Sequence, residues 1–115
     1  MNNTIANYIQ PLIKRQIFIS EDEAIQAVIK YYIDNQISDL KEINKNFEKK
    51  YGINFQNFEK KLHEKSTQLL DQNFSKKNKL ELSQNIMNEE DDWLEWKASY
   101  EMLQTWKDVF MEVSN

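Results

Sequence analysis

The chain lacks cysteine and has one glycine, one proline and one histidine among its 115 residues. The absence of cysteine excludes disulfides, thiolate metal ligands and cysteine nucleophiles. A single glycine, Gly52, excludes the glycine-rich loops that bind phosphates through close backbone approach. Because hairpins and bulges depend on glycine and proline turns, the composition predicts an all-α fold. With His63 as the one histidine, we also expect no enzyme activity and no cofactor.

Long apolar segments are also missing. No apolar run reaches the roughly 20 residues that span a bilayer. The segment Met1–Thr4 lacks the basic region of a signal peptide. We therefore expect a cytoplasmic protein without membrane contact. The length fits one domain.

The charges are unevenly distributed. Residues 1–80 carry 13 basic and 10 acidic side chains, a balance of +3, whereas residues 81–115 carry 2 and 9, a balance of −7, for a total of −4. An acidic C-terminal segment favours a basic protein partner and repels nucleic acid.

The N-terminal half predicts two helices. Apolar residues at steps of three and four over 4–17 indicate a first helix, which either begins or kinks at Pro11. Ser20 and Glu23 form a capping box at the start of a second helix, which we expect to end at Gly52. Its apolar stripe follows heptad spacing, interrupted by Asn44. A helix of about 30 residues is about 45 Å long, so we expect it to pair in a coiled coil or to project from the body.

The C-terminal half predicts two further helices. Asn54 is a candidate N-cap for a return helix over 55–71 that folds back antiparallel on the long helix. Residues 72–88 are polar and predict a linker with a short helical turn at 80–87. A terminal helix is expected over 89–115, after a run of acidic residues. The predicted regions are therefore a helical hairpin over 1–71, a linker over 72–88 and an acidic aromatic helix over 89–115.

The terminal helix carries an aromatic stripe that includes every tryptophan of the chain. Such a stripe is typical both of a core and of a protein interface, and both interpretations stay open. The predicted partner-binding residues are Trp93, Trp96, Tyr100, Leu103, Trp106, Phe110, Asp91 and Asp92. A homodimer is predicted through Ile9, Ile13, Ile25, Ile29 and Tyr32.

The sequence gives weaker signals for a metal site and for a DNA-binding surface. Glu59 and His63 have the i, i+4 spacing of two metal ligands on a helix, but no third ligand is evident, and we predict no metal site. Lys41, Lys45 and Lys49 can form a basic stripe, but intervening acids and a single arginine favour a solvated face over sequence-specific DNA binding.

Residues 11–32 resemble the two helices of ribbon-helix-helix antitoxins. In that family a short helix, a turn and a helix capped by a Ser-x-x-Glu motif pack around a dimer core, and here Ser20 and Glu23 match the cap. Gln16 stands where a turn glycine is usual. Three residues precede Thr4, too few for the strand that contacts DNA in that family, so the resemblance does not imply DNA binding through a strand.

A second resemblance extends over about 75 residues. A capped helix, a long charged helix ending in Tyr-Gly, a Phe-x-x-Phe helix start and a final acidic Trp-rich helix resemble a group of small prokaryotic proteins, many encoded beside a toxin-like gene. The resemblance implies an antitoxin that neutralises a small basic toxin. The alternatives are a homo-oligomeric coiled-coil scaffold and a DNA-binding operon regulator. The matching segments are Ser20–Ile25, Tyr51–Gly52, Phe55–Phe58 and Glu90–Trp96.

Overall fold

The computed structural model describes residues 3–71 and 75–114, and within these ranges the chain is helical with no strand. The prediction of an all-α fold is confirmed. No described helix is both long enough and apolar enough to cross a membrane. The helices are α1 (Asn3–Lys14), α2 (Glu21–Tyr51), α3 (Phe55–Gln68) and α4 (Lys76–Ser114).

Helix α1 includes Pro11 within its length, so the helix does not begin there. It ends in a Schellman motif, in which the amide of Ile17 donates to the Leu12 carbonyl and that of Gln16 to the Ile13 carbonyl, both at 2.9 Å. Gln16 has a φ of 62°. A non-glycine residue therefore occupies the left-handed position at which glycine is preferred.

Both ends of α2 lie where the local sequence predicts them. The backbone amide of Glu23 donates to Ser20 Oγ at 3.1 Å. Glu23 accepts in return from the amide of Ile19, one residue before the expected Ser20. At the other end, Gly52 has a φ of 69° and donates its amide to the Glu48 carbonyl at 2.6 Å. The predicted capping box and glycine C-cap are confirmed.

Helix α3 begins after the predicted N-cap, because Asn54 Oδ1 accepts from the amide of Asn57 at 2.9 Å. Phe55, Phe58 and Leu62 are buried along one of its faces. The helix ends at Gln68, three residues before the expected end at 71.

The predicted linker is wrong for residues 76–88, which form the first turns of the 39-residue helix α4. Ser75 caps this helix by accepting from the Asn78 amide at 3.1 Å. Ile86 is buried, and Lys65 of α3 forms an ion pair with Glu89 at 2.7 Å. These contacts with the rest of the chain stabilise a segment whose polar composition predicted a linker. Residues 72–74 lie outside the described residues.

The chain divides into two compact units. The first comprises Met1–Ile37 and Trp106–Asn115, and the second comprises Ser38–Thr105. Within the first, the buried apolar side chains are those of Ile9, Ala24 and Ile33. The second has the larger core, formed by Phe55, Phe58, Leu62, Ile86, Trp96 and Leu103.

Candidate functional site

Trp96 lies at the centre of the second unit and is fully buried. Phe47 of α2 stacks on it with ring centroids 5.3 Å apart. Phe58 and Phe55 of α3 pack against the same indole at 5.1 and 5.5 Å. Each such aromatic pair adds about 0.5–1.5 kcal/mol to the stabilisation from area burial. This part of the aromatic stripe is therefore core, which α2 and α3 cover from within the same chain.

Within the second unit, α4 runs antiparallel to α3. Contacts from α3 residues 56, 59 and 65 fall on α4 residues 100, 93 and 89, in reverse order. The part of the heptad stripe of α2 that lies in this unit also packs on α4, through Phe47 and Tyr51. The partner of this stripe is a helix of the same chain.

A polar cluster flanks the aromatic core. The Tyr51 hydroxyl donates to the Asp92 carboxylate, which also forms an ion pair with Lys50 at 2.6 Å. The Lys50 ammonium and the Tyr51 hydroxyl lower the pKa of Asp92 below its usual range. Burial, together with the neighbouring carboxylate, raises the pKa of Tyr51. This cluster joins the end of α2 to α4, and its geometry indicates a structural role for Asp92.

The predicted partner-binding residues lie in four different environments. Trp96 and Leu103 are buried within the chain and form part of its core. Asp92 is engaged with α2. Of the predicted set, only Asp91 is largely exposed. The remaining aromatic residues are partly buried: Trp93, Tyr100, Trp106 and Phe110.

Trp93 lines an open groove of about 560 Å³ between α3 and α4. Its indole N–H donates to Glu59 Oε2 at 3.0 Å. The Lys97 ammonium lies 4.9 Å from the Trp93 ring centroid, a cation–π contact. These two contacts hold the Trp93 side chain in a fixed orientation at the groove. The other lining residues are Gln56, Glu59, Lys60, Leu62, His63, Ser66 and Glu90.

Glu59 and His63 both line this groove, as their i, i+4 spacing predicts for one helix face. The described residues contain no group of three His, Cys, Asp or Glu side chains arranged to hold a metal ion. One oxygen of Glu59 accepts the Trp93 indole proton. This geometry favours a structural hydrogen bond at Glu59.

A second stripe of α4, which we call the outer face, was missed by the sequence interpretation. Its apolar residues are Leu94, Ala98 and Met102, at steps of four, and Leu94 and Met102 are 57% and 49% exposed. Ala98 follows Trp96 by two residues, or about 200° around the helix, so the two stripes face opposite ways. The same four-residue spacing could have revealed this face in the sequence. The acidic residues of the outer face are Asp91, Glu95 and Glu101, all exposed.

The predicted dimerisation residues lie in the first unit. Ile9 is buried within the chain and belongs to the core of this unit. Ile13 and Ile25 are partly buried. Ile29 and Tyr32 of α2 are exposed, although the Tyr32 ring packs against Trp106 in a T-shaped arrangement at a centroid distance of 5.8 Å.

No family model matches the chain, and neither curated proteins nor solved structures gave a match.

Proposed function

We propose that this chain is an antitoxin-like protein that binds and neutralises a small basic protein through the outer face of α4. One observation carries the proposal. Half-exposed Leu94 and Met102 form an apolar line beside the exposed carboxylates of Asp91, Glu95 and Glu101. A folded helix that buries its aromatic face and still presents apolar groups on the opposite face has a surface suited to a partner.

The charge of this face selects the class of partner. The span 89–102 contains six acidic residues and one basic residue, Lys97. Lys97 packs over the Trp93 ring, in a different direction from the outer face. A surface of one sign steers an oppositely charged protein during encounter and disfavours nucleic acid. These charges support a basic protein as the partner, in agreement with the toxin that the resemblance implies.

The groove at Trp93 adjoins the outer face and extends the proposed surface. Glu90 lines the groove and lies one helical turn from Leu94. An arginine or lysine of a partner lying along α4 would meet the carboxylates of Glu90 and Glu59 beside the Trp93 indole. Carboxylates and an aromatic edge together suit a long basic side chain.

Co-expression with the product of the adjacent open reading frame tests the proposal. We expect that product to stop growth when expressed alone, and this chain to restore growth and to co-purify with it. Glu95→Lys combined with Glu101→Lys reverses the charge of the outer face at exposed positions, where folding is little affected. This double variant should lose both rescue and co-purification.

The matched control is Asp39→Lys with Glu42→Lys on α2, which makes the same change in net charge at two exposed positions. This control should rescue growth as the unaltered chain does. Circular dichroism should show equal helicity for both double variants. A neighbouring product without toxicity, or rescue that persists with Glu95 and Glu101 reversed, would contradict the proposal.

A further inference from the structure

We infer that the exposed apolar face of α2 in the first unit is an interface with a second copy of this chain, arranged antiparallel about a two-fold axis. This inference concerns a different surface from the outer face of α4 and does not rest on the proposed function. The face, which we call the α2 face, comprises Ile25, Val28, Ile29, Tyr31 and Tyr32.

The spacing and exposure of the α2 face are those of an uncovered helix stripe. Ile25, Val28, Ile29 and Tyr32 follow the i, i+3, i+4, i+7 pattern that places side chains on one side of a helix. Val28, Ile29, Tyr31 and Tyr32 are between 45% and 70% exposed. Trp106 contacts the Tyr32 ring in a T-shaped arrangement, which orients this side chain before any partner arrives.

The exposed area matches what a dimer needs. Taking about 200 Å² for a large side chain, the four exposed residues present on the order of 400 Å² of largely apolar surface. A stable interface buries about 800 Å² on each partner, of which roughly 57% is apolar. The α2 face alone therefore supplies nearly all of the apolar component. The first unit also has a small core of its own, namely Ile9, Ala24 and Ile33.

Charge favours a second copy over a strongly charged partner. Between residues 25 and 36 of α2, Lys30 and Asp34 are the ionisable groups apart from tyrosine, and their charges cancel. A neutral face neither steers a charged protein nor repels its own copy. The outer face of α4, in contrast, has a net negative charge and would repel a second outer face.

The order of residues along the α2 face determines how the α2 helices of the two copies are oriented. With a two-fold axis between positions 28 and 29, Val28 would pack on the partner's Ile29 and Ile25 on the partner's Tyr32. Glu21 and Asp22 would then lie opposite the neutral residues Gln36 and Asn35. Of the acidic first turn, only Glu23 would lie opposite an acidic residue, Asp34. A parallel pairing would bring the two acidic first turns together, which is unfavourable. The antiparallel arrangement also opposes the helix dipoles.

The experiment is sedimentation equilibrium of the full chain at micromolar concentrations. We expect twice the chain mass of 13.9 kDa. Val28→Lys alone and Ile29→Glu alone should each raise the dissociation constant at least tenfold. The chain carrying both changes should recover most of the dimer, because each introduced lysine would face an introduced glutamate of the partner copy. This recovery also shows that the single variants fail through contact and not through misfolding.

The matched control is Ile19→Lys. Ile19 is 89% exposed but lies before α2 and off the α2 face, so its replacement should leave the dimer intact. A chain of 13.9 kDa at all concentrations would overturn the inference. So would a dimer that Val28→Lys leaves unchanged, or an equal loss with Ile19→Lys. Failure of the combined variant to recover the dimer would overturn the antiparallel register.

Discussion

The indole N–H of Trp96 donates to Asn44 Oδ1 at 2.6 Å, across 52 positions of the sequence. Asn44 is the polar interruption in the heptad stripe of α2, and Trp96 is the fully buried centre of the aromatic core. Asn44 therefore has a specific structural role. It satisfies the one polar atom of a side chain that is otherwise surrounded by apolar groups. Asn44 Nδ2 in turn donates to Glu48 Oε1 at 3.2 Å, which fixes the orientation of the amide.

Replacing Asn44 should destabilise the chain because the Trp96 indole would lose its acceptor. We expect Asn44→Ala to lower the free energy of unfolding by about 1–3 kcal/mol. Asn46→Ala is the matched control, since Asn46 is exposed on the same helix and gains the same helix propensity. Urea denaturation followed by circular dichroism measures both. Equal stability of the two variants would show that the hydrogen bond contributes nothing.

Replacing Trp96 should destabilise the chain far more than replacing Trp93, although both residues belong to the same stripe. Trp96→Ala removes a fully buried side chain and should cost about 3–5 kcal/mol. Trp93→Ala removes a partly buried side chain at the groove and should cost clearly less. Denaturant midpoints for the two variants test the ranking. A larger loss for Trp93 would contradict the assignment of Trp96 as the centre of the core.

The Asp92 cluster makes stability depend on pH in a defined direction. Since Lys50 and Tyr51 lower the pKa of Asp92 below its usual 3.8, the folded chain binds fewer protons than the unfolded chain in acid. The stabilisation is present above about pH 4 and is lost as the pH falls through the folded pKa. For Tyr51, whose pKa is raised above 10.0, the contribution is present below pH 10 and is lost at higher pH.

Asp92→Asn should therefore lower the free energy of unfolding by about 1 kcal/mol at pH 7. The difference from the unaltered chain should shrink towards pH 2, and urea unfolding at a series of pH values measures this difference. Lys50→Met should cost less than Tyr51→Phe, because Lys50 is 60% exposed and its ion pair is screened by solvent. A constant difference between pH 2 and 7 for Asp92→Asn would contradict the assigned pKa direction.

The helix caps could be predicted from the sequence, whereas the packing contacts between helices could not. Ser20, Gly52 and Asn54 act through hydrogen bonds or backbone angles within four residues, and such rules are visible in the sequence. The role of Trp96 depends on Phe47 and Phe58, which are far away along the chain. Spacing shows that a stripe exists but does not show what covers it.

The start of α4 illustrates the same limit. Residues 76–88 contain few apolar side chains, so their helical state depends on the Ser75 cap, on burial of Ile86 and on the ion pair between Lys65 and Glu89. Two of these three contacts involve other parts of the chain. The outer face was missed for a related reason, because the tryptophans of the opposite stripe gave a stronger signal than Leu94 and Met102.

Gln16 and Gly52 both have left-handed backbone conformations at helix ends, and substituting them should change the free energy of unfolding in opposite directions. Gln16, at a φ of 62°, carries a side chain in a conformation that glycine adopts without strain. Gln16→Gly should therefore raise the free energy of unfolding, by about 0.5 kcal/mol after the entropy of the unfolded chain is counted. Gly52→Ala should lower it by about 1–2 kcal/mol. A Cβ at Gly52 would have no atom within 4 Å, so this loss is backbone strain alone.

Thermal and urea unfolding of both variants measure the two shifts, and Gly52→Asn is the control for the second. Asparagine tolerates the left-handed region better than alanine does, so Gly52→Asn should cost less than Gly52→Ala. If alanine and asparagine cost the same, the loss at Gly52 does not come from its φ. A fall in stability for Gln16→Gly would show that the Gln16 side chain contributes more than its backbone conformation costs.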